Sequence, residues 1–330
     1  MEVSGSTSRV SKRLVILTIL FVTAIVVLYS LFTGAYEVLF YVKPLYLLVA
    51  LLIYFFSWFV SAVRLMYLHS LVNNKDKLLS IKEYFNARIL GGLMAYLTPS
   101  AIGGEPARAY YLSLKSNEPF SKFFALTIYE VFYDIIIINV LAIGFSIYKY
   151  PLTIPVIIVG LTNLCSWIII YYILNNIIKP DKANPIIGKI LEFIEKTIIS
   201  RIKKISEGYF NFGLAFNTIS RKTCITEKIV IISLTFLIHL INVLAISVIG
   251  LSVKQSCECE LFLAAFTSYF YSSTLGSLPI PGGAGVVEYG LSISLAPSIV
   301  LISRTLMYYS VVILGFIILL KTKVIRELIK

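Results

Sequence analysis

Six ionisable side chains lie within long apolar stretches of the sequence. A charged group at the centre of a transmembrane helix costs about 2.5–3.5 kcal/mol on insertion scales, so each one needs a structural or functional reason. The six residues are Glu105, Arg108, Glu130, Asp134, Glu288 and Arg304.

Glu130 and Asp134 are one helical turn apart, so their carboxylates share a helix face. Two carboxylates on one face repel each other unless a cation or a proton lies between them. The available cations are Arg108 and Arg304. The pair is therefore predicted either to form a structural ion pair with one of them or to take part in function. For Arg304, the sequence leaves two alternatives open: it pairs with this acidic helix, or it binds substrate.

Two glycine-bearing motifs carry the other charges. Gly103 and Gly104 come directly before Glu105, and the run Pro281 to Gly283 is followed by Glu288. Glycine loops release backbone N–H groups at helix N-termini, and these attract phosphate. An arginine fork matches phosphate oxygens bidentately. The set predicts a site for an anionic head group or a coupled ion. In the alternative interpretation, Glu288 only caps a helix and Arg108 only extends to the membrane surface.

The composition indicates the elements that hold these residues. The chain has 330 residues, of which 58% are hydrophobic and 14% charged, and its mean hydropathy is +0.88. Soluble proteins carry roughly 25% charged residues. The excess of apolar residues excludes a soluble globular domain, a disordered chain and a disulfide scaffold. It predicts an all-α polytopic membrane protein.

The net charge of +12 is interpreted as a consequence of membrane topology, not of nucleic-acid binding. Four cysteines and two histidines form no metal-binding spacing, so no metal and no cofactor is expected. His239 is predicted to pack between helices. Trp58 is predicted to belong to an interfacial aromatic belt.

Six apolar runs are long enough to cross a bilayer, which takes about 20 helical residues. They are 14–32, 45–63, 125–148, 152–174, 229–253 and 299–320. Two further stretches are interrupted by Gly and Pro and are predicted to be re-entrant hairpins, near 86–111 and near 261–296. The predicted fold therefore has eight hydrophobic elements.

Lys and Arg placement favours this threading. If both hairpins return to the side they enter from, the external Lys/Arg residues are Lys43, Lys149 and Lys254, and both termini are cytoplasmic. Arg64 then lies at the cytoplasmic end of the second span. The two trios of span, hairpin and span are predicted to form an inverted repeat, an arrangement found in transporters.

The predicted domain organisation follows from these segments. Residues 1–13 form a cytoplasmic N-terminus, 14–174 the first membrane half, 175–228 a basic linker, 229–320 the second half and 321–330 a cytoplasmic tail. Within the linker, 187–205 is amphipathic and basic. It is predicted either to lie on anionic inner-leaflet lipid or merely to connect the halves.

These motifs resemble the flippase-like family, which includes the membrane region of lysylphosphatidylglycerol synthase and archaeal glycosylation-linked membrane proteins. The resemblance spans about residues 14 to 320. It implies that Glu105 and Arg108 match the family's Gly-Glu-x-x-Arg element, Glu130 and Asp134 its acidic helix, and Glu288 the glutamate after its Pro-Gly-Gly. The chain has Val131 where members often carry an arginine, and no soluble aminoacyl-transfer domain follows, so lysyl transfer is not expected.

The function predicted from residues and resemblance is that of a lipid translocase in the cell membrane. Its cargo would be an anionic-head-group lipid or a polyprenyl-phosphate-linked glycan. The chain lacks a P-loop motif for ATP and is not expected to be an enzyme. Two alternatives stay open: a non-catalytic membrane partner of an envelope lipid or glycan biosynthesis enzyme, and a polyprenyl-phosphate glycosyltransferase. The predicted translocation residues are Gly103, Gly104, Glu105, Arg108, Glu130, Asp134, Pro281, Gly282, Gly283, Glu288 and Arg304.

Overall fold

The computed structural model describes residues 12–72, 78–176, 178–179, 182–183, 201–253 and 258–322. Within these ranges the chain forms eleven α-helices, joined by 3₁₀ turns. They are α1 (Lys12–Thr33), α2 (Pro44–Val72), α3 (Ile81–Leu97), α4 (Gly104–Ser116), α5 (Phe120–Phe145), α6 (Ile154–Asn176), α7 (Arg201–Lys222), α8 (Ile225–Ser252), α9 (Glu258–Leu275), α10 (Val286–Ser292) and α11 (Pro297–Lys321).

Six of the described helices are long and apolar enough to cross a membrane: α1, α2, α5, α6, α8 and α11. They coincide with the six predicted spans, so the multi-pass membrane architecture is confirmed. The second span differs in length. Helix α2 has 29 residues and continues nine residues past the predicted end at 63. Arg64 therefore lies inside a helix and not at its end.

The two interrupted stretches each form a pair of shorter helices. The first breaks between α3 and α4, where a 3₁₀ turn (Pro99–Ala101) follows the extended backbone of Thr98. The second breaks between α9 and α10 around a 3₁₀ turn (Pro281–Gly283). Helix α3 packs against α4, and α9 packs against α10. Gly282, Gly283 and Gly285 have φ of 59°, 63° and 85°, a region that only glycine adopts easily, which explains the glycine run.

The packing of α2–α5 is repeated in α8–α11. Helix α2 packs against α8, which joins the halves. Helix α3 packs against α11, and its counterpart α9 packs against α5. Likewise α5 contacts α8, and α11 contacts α2. The 3₁₀ turns of the two helix pairs also contact each other, so the two hairpin tips meet.

The segment between the halves is described only in part. Two two-residue strands, β1 (Ile178–Lys179) and β2 (Lys182–Ala183), pair antiparallel. Helix α7 packs against α5 and α6. Residues 184–200 lie outside the described ranges, as do 1–11 and 323–330. The proposed lipid contact of 187–205 therefore stays a prediction, and so does the division into domains.

Candidate functional site

A cavity of about 470 Å³ lies between the two halves. Its walls come from α2 and α3 on one side and from α8, α9 and α11 on the other, and both hairpin tips reach it. Three arginines, Arg88, Arg108 and Arg304, line it together with the carboxylates of Glu105 and Asp134. A volume of this size is typical of small-molecule sites.

Glu130 and Asp134 of α5 accept hydrogen bonds from an arginine that was not predicted to pair with them. Arg64 Nε donates to Glu130 Oε1 over 2.8 Å, and its Nη1 and Nη2 donate to the two oxygens of Asp134 over 2.7 and 2.8 Å. Nη1 also donates to Thr235 of α8. The side chains of Arg64 and Glu130 are fully buried. The cation expected between the two carboxylates is thus Arg64.

Glu130 also accepts hydrogen bonds from the first hairpin. Its Oε2 lies 3.1 Å from Nη1 of Arg108 and 3.2 Å from Nη1 of Arg88. Arg108 Nη2 in turn donates to Glu105 Oε1 over 2.9 Å. A Cβ on Gly91 would lie 2.3 Å from Cγ of Arg108, so a glycine is needed where the arginine crosses α3. Arg108, one of the two cations that the sequence offered for the acidic helix, therefore pairs with Glu130.

The second hairpin has its own ion pair. Arg304 Nε donates to Glu288 Oε1 over 2.7 Å, and Nη2 donates to the carbonyl oxygen of Gly282. The other carboxylate oxygen of Glu288 accepts the backbone N–H of Gly285 over 2.7 Å, so this glutamate caps α10. Arg304 therefore pairs with Glu288 and not with Glu130 or Asp134, a pairing that the sequence left open as one of two alternatives. The reason is that α11 packs beside the second hairpin.

Three of the N–H groups in the two glycine loops already have acceptors within the turns. Gly103 N–H donates to Thr98 Oγ1 over 2.9 Å, and Gly283 N–H donates to the Ile280 carbonyl over 2.9 Å. Gly285 N–H is taken by Glu288. These donors stabilise the turns themselves. Guanidinium donors for an anion in the cavity are present in Arg88, Arg108 and Arg304.

Some of the predicted site residues line the cavity, and the others do not. Those that line the cavity are Gly104, Glu105, Arg108, Asp134, Gly282, Gly283 and Arg304. Gly103, Glu130, Pro281 and Glu288 do not line it. Glu130 and Glu288 are almost completely buried behind the arginines that they pair with. Their carboxylates neutralise and orient guanidinium groups that face the cavity.

Several residues that line the cavity were not assigned to it from the sequence, among them Arg88, Trp58 and His239. Arg88 lines the cavity and is 12% exposed there. Trp58 also lines it, so its assignment to an interfacial belt is wrong. His239 packs between helices as predicted, and it also lines the cavity, with Nε2 3.5 Å from Asp134 Oδ1. The adjacent glycines Gly91 and Gly92 could have indicated close packing at this point of the chain. Gly92 makes room for the Trp58 ring.

The buried charges balance across the site. Four guanidinium groups and four carboxylates form one cluster on α2, α3, α4 and α5 and a second on α10 and α11. Their members are Arg64, Arg88, Arg108, Arg304, Glu105, Glu130, Asp134 and Glu288. Such pairing is required of charges inside a membrane protein. It leaves the guanidinium groups of Arg88, Arg108 and Arg304 at the wall of the cavity.

Comparison with known proteins agrees with this architecture. The family described as the lysylphosphatidylglycerol synthase TM region matches residues 14–315. The chain belongs to this family. The lysylphosphatidylglycerol synthase TM region family is lipid-related, so the chain is a multi-pass membrane protein of a lipid-related family. No curated protein and no solved structure matches the chain significantly.

Proposed function

We propose that this chain moves a lipid with an anionic head group between the leaflets of the cell membrane. The cargo would be a phospholipid or a polyprenyl-phosphate-linked lipid. One observation carries the proposal: a cavity between two broken helical hairpins, lined by Arg88, Arg108 and Arg304. Guanidinium groups are the side chains best matched to phosphate oxygens.

The packing of the two halves supports an inverted repeat. Exchanging α2–α5 with α8–α11 reproduces the helix contacts. In membrane transporters, repeats of this kind place the substrate site at the interface between the halves. Broken backbone at membrane depth is tolerated where protein or a polar cavity surrounds it, which fits two re-entrant hairpins around this site.

The proposed transport step uses the two hairpins in turn. The head-group phosphate binds the arginines of the cavity while the hydrocarbon tail stays in the surrounding lipid. Contact between the two hairpin tips would close one path when the other opens. The sequence has no ATP-binding motif, so movement would be downhill or coupled to an ion.

We propose a translocase and not an enzyme. Among the described residues, no feature of the cavity favours the glycosyltransferase or the partner role over translocation. The N- and C-termini are proposed to be cytoplasmic, on the distribution of Lys and Arg.

The test is leaflet exchange by the purified chain in vesicles. Fluorescent short-chain anionic and neutral lipids are reconstituted with the protein, and dithionite quenching reports the exchange. The expected result is faster exchange of the anionic lipid, reduced in Glu288→Gln and in Glu105→Gln and unchanged in Glu37→Gln, which alters an exposed glutamate. Unaltered exchange in both folded site variants would overturn the proposal.

A further inference from the structure

The charge cluster of the first half contains as many carboxylates as guanidinium groups. Three of each are joined by ion pairs, and they belong to Arg64, Arg88, Arg108, Glu105, Glu130 and Asp134. A singly charged anion in the cavity would add one negative charge beside this balanced cluster. Because an uncompensated charge in a buried site is costly, binding of the anion favours the loss of one negative charge from the cluster. Uptake of a proton by one carboxylate has this effect.

Two of the three carboxylates are poor candidates for the proton. Glu130 is fully buried, and within the described residues it is the one ion-pair partner of Arg88. Protonation of Glu130 would leave that guanidinium without a carboxylate. Asp134 accepts hydrogen bonds through both oxygens from Arg64, whose side chain is fully buried. Protonation of Asp134 would weaken both of these bonds at once.

Glu105 can take up a proton at a smaller cost. It is the second residue of α4 and lines the cavity, and its side chain is 23% exposed. Its one ion pair in the described part of the chain is with Nη2 of Arg108, over 2.9 Å. Nη1 of Arg108 keeps Glu130 at 3.1 Å. Protonation of Glu105 therefore leaves every arginine of the cluster paired with a carboxylate.

Protonation of Glu105 also changes what Arg108 offers to an anion. A neutral carboxyl group accepts a hydrogen bond from a guanidinium more weakly than a carboxylate does. When a proton from water bonds to the Glu105 carboxylate, Nη2 of Arg108 becomes available to a phosphate oxygen. When the anion leaves, the proton returns to water and the ion pair forms again. Proton uptake and anion binding therefore favour each other.

The charges around Glu105 come from the two helices that pack against α4. Arg88 of α3 stabilises the ionised carboxylate, whereas Glu130 and Asp134 of α5 repel it. His239 of α8 is another titratable group that lines the cavity. Its Nε2 lies 3.5 Å from Asp134, so a proton on this ring would not release a guanidinium donor. Glu105 is thus the better candidate.

We infer that Glu105 takes up one proton when the anionic head group binds and releases it when the head group leaves, so that the lipid and a proton cross the membrane together. The inference rests on the proposed function, because it names the coupling ion of that transport and the residue that carries it. With a singly charged lipid, the cluster and its cargo then have no net charge, which suits movement through a medium that disfavours unpaired charge.

The first experiment measures how a lipid distributes between the leaflets at equilibrium. Vesicles with the full chain contain a trace of fluorescent phosphatidylglycerol, and the outside is kept at about pH 7 while the inside is set to about pH 6 or about pH 8. Dithionite added outside reports the fraction in the outer leaflet. One proton per lipid makes the two leaflets differ by about tenfold for each pH unit, with enrichment on the more alkaline side. An imposed membrane potential should not change this ratio.

Glu105→Gln removes the proton site and keeps the size of the side chain. In this variant both leaflets should hold equal concentrations at either internal pH. The tenfold ratio should persist in Glu37→Gln, which alters an exposed glutamate, and in His239→Gln, which alters the other titratable group. A tenfold ratio in folded Glu105→Gln would overturn the inference, and so would a ratio that follows a sodium gradient and not the pH gradient.

A binding measurement covers the case in which Glu105→Gln exchanges no lipid. Calorimetry of dihexanoyl phosphatidylglycerol with the detergent-purified chain, in two buffers of different ionisation enthalpy, counts the protons taken up per bound lipid. The count should reach close to one at some pH between about 6 and about 9, and should be zero in Glu105→Gln. At about pH 9 this variant should bind the lipid at least as tightly as the wild type, because its amide resembles the neutral carboxyl group.

The two measurements separate this inference from the transport function. Proton uptake that is lost in Glu105→Gln, without any leaflet exchange, supports the proton site and contradicts the translocase proposal. Exchange with equal leaflet concentrations at both internal pH values, together with binding without proton uptake, overturns the inference and leaves the translocase proposal standing. Neither binding nor exchange by the folded protein contradicts both.

Discussion

Arg64 binds Asp134 through two parallel hydrogen bonds, from Nη1 to Oδ1 over 2.7 Å and from Nη2 to Oδ2 over 2.8 Å. The same guanidinium donates through Nε to Glu130. One arginine of α2 thereby neutralises two carboxylates of α5, which lie one turn apart. With the bond to Thr235, it also ties α2 and α5 to α8, which belongs to the other half.

Removing Arg64 is expected to be severely destabilising. Arg64→Met leaves Asp134 without its guanidinium partner and Glu130 with only Arg88 and Arg108. Loss of one partner of a buried ion pair costs about 3–5 kcal/mol. Thermal unfolding in detergent measures the effect. The control Arg221→Met alters an exposed arginine and should change stability little. Equal unfolding temperatures for the two variants would contradict the structural role of Arg64.

A compensating variant tests whether charge is the cause. In the double variant Arg64→Met and Asp134→Asn, the carboxylate that loses its partner is replaced by a neutral amide, while Glu130 keeps Arg88 and Arg108. It should be more stable than Arg64→Met alone, because buried ion pairs can be replaced at little cost when both signs are removed. A double variant less stable than the single one would mean that Arg64 acts chiefly by packing.

Arg88 should behave differently from Arg64. Arg88→Gln removes one hydrogen bond to Glu130 Oε2, but that oxygen keeps Arg108 at 3.1 Å and Oε1 keeps Arg64. The expected loss of unfolding free energy is less than about 2 kcal/mol, within the range for one hydrogen bond to a charged group. Chemical unfolding beside Arg64→Met is the measurement. A loss as large as that of Arg64→Met would make Arg88 a structural residue.

The helices could be predicted from the sequence, but the charged side chains that pair with one another could not. Length and hydropathy identify the spans, and the Gly/Pro interruptions identify the broken helices, because both are local properties. Arg64 is 66 residues from Glu130 and 70 from Asp134, so their pairing depends on how α2 packs beside α5. A bilayer-length rule ends the second span at residue 63, whereas the helix continues to Val72.

Arg304 illustrates the same limit in the other half. Its partner Glu288 is 16 residues earlier, and the hairpin geometry that joins them was already indicated by the Pro-Gly-Gly run. The sequence left Glu130 and Asp134 open as partners of Arg304, because those acids lacked a visible cation. The missing cation was Arg64, which had been placed at the membrane surface.

The second hairpin depends on close backbone packing at Gly290. A Cβ there would lie 2.6 Å from Cα of Ser272, so α10 cannot keep its place against α9 with any larger residue. Gly290→Ala is expected to cost about 1–3 kcal/mol, as overpacking does. Gly144→Ala in α5 meets nothing within 4 Å and should be neutral or stabilising by up to about 1 kcal/mol. Thermal unfolding of both variants measures the difference in stability. Equal stability would show that the contact between Gly290 and Ser272 is not tight.

Arg304→Lys is expected to loosen the second hairpin tip. A lysine keeps the charge but lacks the planar fork that reaches Glu288 and the Gly282 carbonyl together. Amide hydrogen exchange over 278–292 should become faster, while exchange over α3 and α4 stays as in the wild type. Arg221→Lys serves as the control. Unchanged exchange at the tip would mean that the fork geometry is dispensable.

The central claim is that arginines of the cavity recognise the head group of a lipid in transit. The most direct test is the ratio of leaflet-exchange rates for a fluorescent anionic lipid and a fluorescent phosphatidylcholine, in vesicles of wild type and of folded Arg88→Gln. The account predicts a ratio well above one for the wild type and a ratio close to one for the variant. An unchanged ratio in the folded variant, or no preference for the anionic lipid in the wild type, would contradict it.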